Sequence, residues 1–396
     1  TQTRSGSGGI FTIPVSYAAA DAGGHDIPAA SGTCVLAALK QEIVVHDVEV
    51  PAFLSFNRGG GFYGVLVDES ATDDELRAQV ALDSDPINRV EAMRILTDRE
   101  RRTLFDALLR GNPLPAPSAD WLALHRRIFR DESLPETLRG ALLRIDEAPT
   151  DRALRANVRE NVTIRRALLA AAARNLGVDR IAAALLASAP AGTEGQTSAA
   201  ILHRAFKAPL LDLLSAADDP AAFAALDQHL AAAANITDRL NTLRAIWCSG
   251  HPRRSEILAA AGETLRKTLG GSIGYLGVVA SSPRVDVFDA IAAEEARPTW
   301  SISHPGLSRA LYCAMAANNA QLWTPRGLAW LEKTVVKYAA VGEYNALRLF
   351  APCENFRAFA PDLSAVVRGT LERIRAKLPA DKFPAVTGRI DALLDN

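Results

Sequence analysis

From about residue 71 onward, apolar residues recur at helical spacing, and the pattern persists almost to the end of the chain. Ile236, Leu240, Leu243 and Trp247 follow at steps of four, three and four, which puts them on one stripe of a helix. Leu328, Leu331, Val335 and Tyr338 repeat the spacing, as do Leu363, Val367, Leu371, Ile374 and Leu378. Short breakers separate such stripes: Gly111-Asn112-Pro113-Leu114-Pro115, Ala189-Pro190-Ala191-Gly192 and Gly250-His251-Pro252. Amphipathic helices joined by short connections lie antiparallel, so a chain of this kind stacks helix pairs. No strict internal period is present. The expected fold class is therefore mainly α, with an irregular helical-repeat domain (an α-solenoid of armadillo or HEAT type) over residues 71–396.

Local signals mark the helix starts. Thr72-Asp73-Asp74-Glu75 has the capping-box spacing, in which hydroxyl and carboxylate each satisfy an orphan backbone N–H, and Ser133-Leu134-Pro135-Glu136 repeats it. Asp85-Pro86 offers an N-cap followed by proline at the first helical position. Residues 1–70 read differently. Phe11 to Tyr17 is β-branched and aromatic and runs toward a turn at Asp21-Ala22-Gly23-Gly24. Glu42 to Val50 contains alternating apolar positions, while Phe53 to Phe56 and Val65 to Val67 flank a glycine cluster, so a small antiparallel β unit is expected.

Several function classes find no support. Lys+Arg total 44 against 45 Asp+Glu, a formal net charge of −1, so no nucleic-acid or anionic-membrane partner is expected. No apolar run reaches the roughly 18 residues of a membrane span. Thr1 to Gly9 is polar and glycine-rich, without the basic and then apolar regions of a signal peptide. Cys34, Cys248, Cys313 and Cys353 are widely scattered with no CxxC pair, which reads as reduced thiols in a cytoplasmic protein and leaves distant pairing open.

Chemistry-bearing motifs are scarce. No two of the seven histidines lie within four residues of each other, and HExxH is absent, so no metal site is expected in this chain. Gly59-Gly60-Gly61-Phe62-Tyr63-Gly64 matches GxGxxG, but a strand-like segment follows where a dinucleotide site needs a helix, so a turn is expected. Gly270 to Gly277 lacks the Lys-Ser/Thr ending of a phosphate loop, and no GxSxG elbow occurs. By itself this sequence does not hold the parts of an enzyme.

Leu82-Asp83-Ser84-Asp85-Pro86-Ile87-Asn88-Arg89-Val90-Glu91-Ala92 resembles the DsDpfnRweA stretch of bacterial-type aminopeptidase N, a family of zinc exopeptidases. Further similarity follows in chain order. Phe11 to Val15 resembles that family's strand before a D-x-x-G turn, and Pro51 to Ser55 with Arg58 resembles a segment beyond it. Ile302-Ser303-His304-Pro305-Gly306-Leu307-Ser308-Arg309 is similar to a family helix start. Ala317-Asn318-Asn319, Gly327 to Trp330 and Asn345-Ala346-Leu347-Arg348-Leu349 continue the likeness.

The resemblance covers nearly the whole chain but only the carboxyl-terminal half of the family's protein. It implies that residues 1–70 are part of a β-sandwich and that residues 71–396 are the helical domain that caps the catalytic domain and encloses the substrate chamber. The zinc ligands, the general-base glutamate and the GxMEN loop that binds the substrate amine belong to the other half. Zinc is thus implied for the parent enzyme, which would release N-terminal amino acids from peptides, while this chain alone is expected to be inactive. The implied partners are the N-terminal and catalytic domains and peptide substrates.

The resemblance also places two substrate-contacting arginines on Arg309 and Arg348. A planar guanidinium suits a peptide carbonyl or C-terminal carboxylate; the alternative is that both only form surface ion pairs. A second reading of the whole chain is a stand-alone helical scaffold that binds a protein partner on a concave face.

Overall fold

The computed structural model describes residues 10–62, 64, 66–187 and 197–395. It divides into two compact units, one of residues 1–103 and 117–145 and one of residues 104–116 and 146–396. The expected boundary at residue 70 follows a change of secondary-structure type, whereas these units follow packing. No helix among the described residues is long and apolar enough to cross a membrane.

The first unit holds strands β1 (Ile13–Ala20), β2 (Asp26–Leu36) and β3 (Phe53–Phe56), and helices α1 (Asp73–Leu82), α2 (Pro86–Leu109, as far as Thr103), α3 (Ala119–Arg130) and α4 (Glu136–Leu143). The strands form an antiparallel sheet in the order β2-β1-β3, with Tyr17 opposite Gly32 on one side and Phe56 on the other. The expected turn joins β1 to β2: Asp21 Oδ1 accepts from the backbone N–H groups of Gly23 and His25, and Gly24 takes φ +82°, which suits glycine.

Three strand expectations are corrected. β1 runs three residues beyond Tyr17. Residues 42–50 are irregular, not a strand, and Val44 and Val50 stand exposed. Alternation alone does not make a strand, because the apolar face needs a neighbour to bury it. Leu66 and Val67 are likewise outside any strand, and Val65 lies outside the described residues. The second strand is instead Asp26–Leu36, whose small and polar residues hide a strand from propensity; pairing with β1 creates it. The glycine cluster is a tight 3-10 turn over Arg58–Gly60, with Gly59 and Gly60 at φ +71° and +68°, and among the described residues no α-helix opens directly from it to face a pyrophosphate.

The capping box at Thr72 forms, the Thr72 hydroxyl accepting from Glu75 N–H and the Glu75 carboxylate from Thr72 N–H. The one expected at Ser133 does not: α4 begins two residues later, behind Pro135, and Ser133 donates to Asp131 instead. The Leu82–Ala92 motif proves to be a latch between sheet and helices. Asp85 Oδ1 caps α2 at Ile87 N–H, and its Oδ2 accepts from Gly59 N–H at 2.6 Å. Asn88 Nδ2 donates to Ser55 Oγ and Phe56 O at 2.8 and 2.9 Å, and Arg89 donates to the last carbonyls of α1 at Val80 and Ala81. Asp83, Asp85, Asn88 and Ser55 are all buried, so each polar group needs these partners.

The second unit continues with α5 (Val158–Leu176), α6 (Val178–Ala187), α7 (Ser198–Ala217), α8 (Pro220–Ala232), α9 (Ile236–Cys248), α10 (Arg254–Leu265) and α11 (Leu269–Val279). Then come α12 (Val287–Glu295), α13 (Pro305–Ala316), α14 (Asn319–Leu322), α15 (Pro325–Ala339), α16 (Glu343–Leu347), α17 (Pro361–Lys377) and α18 (Pro384–Asp395). Alternate helices stack: α5 on α7, α7 on α9, α9 on α11, α11 on α13, and α15 on α17. That is the packing of an irregular helical-repeat array, as expected.

The expected stripes face inward. Leu328, Leu331, Val335 and Tyr338 are buried, as are Leu363, Val367, Leu371, Ile374 and Leu378, within one core that runs from Leu243 to Leu393. The α9 stripe buries Leu243 and Trp247, while Ile236 at its start stays exposed. The glycine-rich stretch 270–277 lies within α11. All four cysteines are free; Cys353 is buried and the other three are half-buried. The breaker at 189–192 lies outside the described residues.

Candidate functional site

Arg309 and Arg348 come together around one tyrosine. His304 begins α13 as its N-cap, with Nδ1 accepting from Leu307 N–H at 3.4 Å and Pro305 in the first turn, where a missing N–H does no harm. This start sets Arg309 in the second turn, directed toward the short helix α16. Arg348 opens the tight 3-10 segment Arg348–Cys353 that continues α16. Arg309 donates from Nε and Nη2 to Asn345 Oδ1 at 3.0 and 2.8 Å. Arg348 Nη2 donates to Tyr344 Oη at 3.2 Å. The two guanidinium carbons lie 5.9 and 5.3 Å from the Tyr344 ring centre, within cation–π range, and Tyr344 is 66% exposed.

Both arginines keep their charge uncompensated. Neither has a carboxylate in salt-bridge range among the described residues, so the surface ion-pair alternative finds no partner. Their charges act on the floor of the site. Burial raises the Cys313 thiol, and the nearby Arg348 and Arg309 oppose that rise. Burial also raises the Tyr338 phenol, which therefore stays protonated and donates to Ser308 Oγ at 2.7 Å, since Ser308 spends its own proton on His304 O.

Beneath this surface, Tyr312 donates to Glu295, which also accepts from Lys337 Nζ at 2.6 Å, and the Lys337 ammonium stands 5.2 Å from the Tyr312 ring. Burial and the Glu295 contact push the Tyr312 phenol far above its ordinary range. Satisfied polar groups of this kind hold α13 rigidly, and a rigid helix presents its arginine at a fixed place.

Tyr344 and Asn345 escaped the sequence reading as site residues. Their signal was spacing: Tyr344 on α16 and Arg348 at the start of the 3-10 segment that continues it are four apart, and Asn345 heads the segment that contains Arg348. The arrangement can do one kind of chemistry. It presents two fixed cations beside an aromatic face, suited to a carboxylate or carbonyl oxygen. Among the described residues, no three of His, Cys, Asp and Glu converge as a metal-binding group.

Three comparisons bear on this architecture. A family model described as a domain of unknown function, DUF3458_C, with ARM repeats matches residues 73–388. Aminopeptidase N of Caulobacter vibrioides is 28% identical over 188 residues, covering 47% of this chain and 22% of that protein. The crystal structure of Legionella pneumophila aminopeptidase A in complex with aspartic acid superposes with a TM-score of 0.80 at 16% identity, covering 97% of this chain and 45% of that one. That superposition establishes a shared fold, and the chain spans less than half the length of either relative.

Proposed function

The chain belongs to the DUF3458_C family of ARM-repeat domains and is an aminopeptidase-related C-terminal domain, and from that premise we propose that it serves a zinc-dependent aminopeptidase as its non-catalytic cap. In this reading it covers the catalytic domain, encloses the substrate chamber and offers Arg309 and Arg348 to the part of a peptide beyond the scissile bond. The parent enzyme would work in the cytoplasm and release N-terminal amino acids.

The observation that carries the reading is the pair of cations around Tyr344, held by neutral partners and open to a ligand. A peptide carbonyl or terminal carboxylate fits that pair, and an enclosed chamber would strengthen the contact by limiting water. Docking on other domains is supported by the first unit, where Phe11, Val44, Val50 and Val67 stand exposed at 64, 63, 95 and 72%. In this proposal those side chains are covered by another domain. Among the described residues no three of His, Cys, Asp and Glu converge as a ligand group. In this proposal the metal belongs to the catalytic partner, and no step of hydrolysis is assigned to this chain.

Coexpression with the cognate upstream half, followed by copurification and an assay on an aminoacyl anilide, tests the proposal. Association with restored hydrolysis is the expected result. Halves that neither associate nor hydrolyse would leave the scaffold reading in its place.

A further inference from the structure

A groove of about 1150 Å³ opens within the second unit between α5, α7 and the segment around α14. It exceeds the roughly 300–1000 Å³ of ordinary small-molecule pockets. Arg159, Arg166 and Arg174 of α5 line it at steps of seven and eight, so they share one helix face, and Arg284 joins them. Between them the floor is small: Ala167 and Ala170 of α5, and Ala216 and Ala217 of α7.

The charges are unequally spent. Arg159 donates to Asp362 at 3.0 Å, and Arg166 pairs with Asp218, the sole carboxylate among the groove-lining residues. Arg174 and Arg284 have no ion-pair partner among the described residues. Arg284 Nε is moreover buried with no hydrogen-bond acceptor. A buried donor without a protein acceptor costs free energy, which a ligand oxygen would recover. The groove thus combines two uncompensated guanidinium groups, one orphan donor and a floor low enough for a backbone to lie on.

We propose that this groove binds an acidic peptide segment, its carboxylates on Arg174 and Arg284 and its backbone over the alanine floor. A nucleic acid is disfavoured by the same observations, because among the described lining residues Trp323 is the one aromatic ring and successive bases need successive stacking faces. The proposal does not depend on the peptidase reading, and it is tested on this chain alone.

The probe is a fluorescein-labelled octapeptide of alternating alanine and glutamate, with its alanine–glutamine counterpart as control, followed by fluorescence anisotropy. The acidic peptide is expected to bind at least about tenfold tighter than the control, more weakly as salt rises. The R174Q/R284Q double variant is expected to lose about tenfold or more in affinity at an unchanged melting temperature, while R389Q, on α18 and outside the groove lining, binds like the parent chain. Should R284Q disturb folding, R174Q alone and A170W, which fills the floor, are expected to weaken binding in the same direction. Equal binding of both peptides, no binding of the acidic one, or full affinity in the variants would overturn the proposal. So would a uridine decamer that binds tighter and displaces the peptide.

Discussion

Arg309 closes two donors on a single acceptor, its Nε and Nη2 bonding Asn345 Oδ1 at 3.0 and 2.8 Å. The partner is a neutral amide, so the guanidinium is oriented without losing its charge. A carboxylate at the same place would orient it equally well and cancel it.

That difference is measurable in the enzyme assembled with its upstream half. Arg309→Ala is expected to weaken short peptides by about 10- to 100-fold, the worth of a charge-assisted hydrogen bond, and single-residue chromogenic substrates far less. Asn345→Asp should shift affinity in the same direction by neutralising Arg309 in place. Peptide and anilide KM values report this directly, and equal effects on both substrates would remove Arg309 from the site.

His125 makes the first unit sensitive to acid. It is fully buried against Trp121, its Nδ1 proton donated to the Trp121 carbonyl at 3.0 Å, and burial lowers its pKa from 6.5 to about 4. The unfolded chain therefore takes up a proton that the folded chain refuses. Stability from this group is complete above pH 6.5 and falls as the pH drops toward 4, by up to about 3 kcal/mol. Urea titrations followed by tryptophan fluorescence at pH 7.5 and 5 should show the loss, and His125→Leu should diminish it.

Two helical glycines should respond oppositely to alanine. A Cβ on Gly327 would sit 1.9 Å from the Gln321 carbonyl oxygen and 2.4 Å from that of Leu322, where α15 begins tightly against the preceding turn. Gly277 of α11 has nothing within 4 Å of the same atom. Gly277→Ala is expected to stabilise by about 0.5–1 kcal/mol through helix propensity. Gly327→Ala should destabilise despite that propensity, and paired thermal melts of the two variants decide it.

Leu371 lies at zero exposure within the core of the second unit. Leu371→Ala leaves a cavity and should cost about 2–5 kcal/mol, whereas Leu371→Met should cost less than about 1.5 kcal/mol. Denaturant midpoints of the two variants measure the gap. A small loss in the alanine variant would mean that the neighbouring helices collapse into the space.

How far the sequence was legible depended on whether the relevant interaction was local. The capping box at Thr72 and the start at Asp85-Pro86 involve groups within a few residues, and both formed as read. Ser133 shows the limit even of local signals: Pro135 precedes the first helical residue, and Asp131 claimed the serine hydroxyl. Of the site, Arg309 and Arg348 were visible only through family resemblance, and Tyr344 and Asn345 offered only their spacing to Arg348 as a signal.

By itself the sequence determined the helices, because a repeat of three and four residues states which face of each will be buried whatever the neighbour. It also determined the overall charge balance and the absence of a local catalytic motif. Tertiary structure alone decided that Asp26–Leu36 is a strand, that residues 42–50 are not, and that two arginines 39 positions apart share one tyrosine. Those outcomes depend on partners far away in the chain, and neither pairing nor convergence leaves a period in the residues that take part.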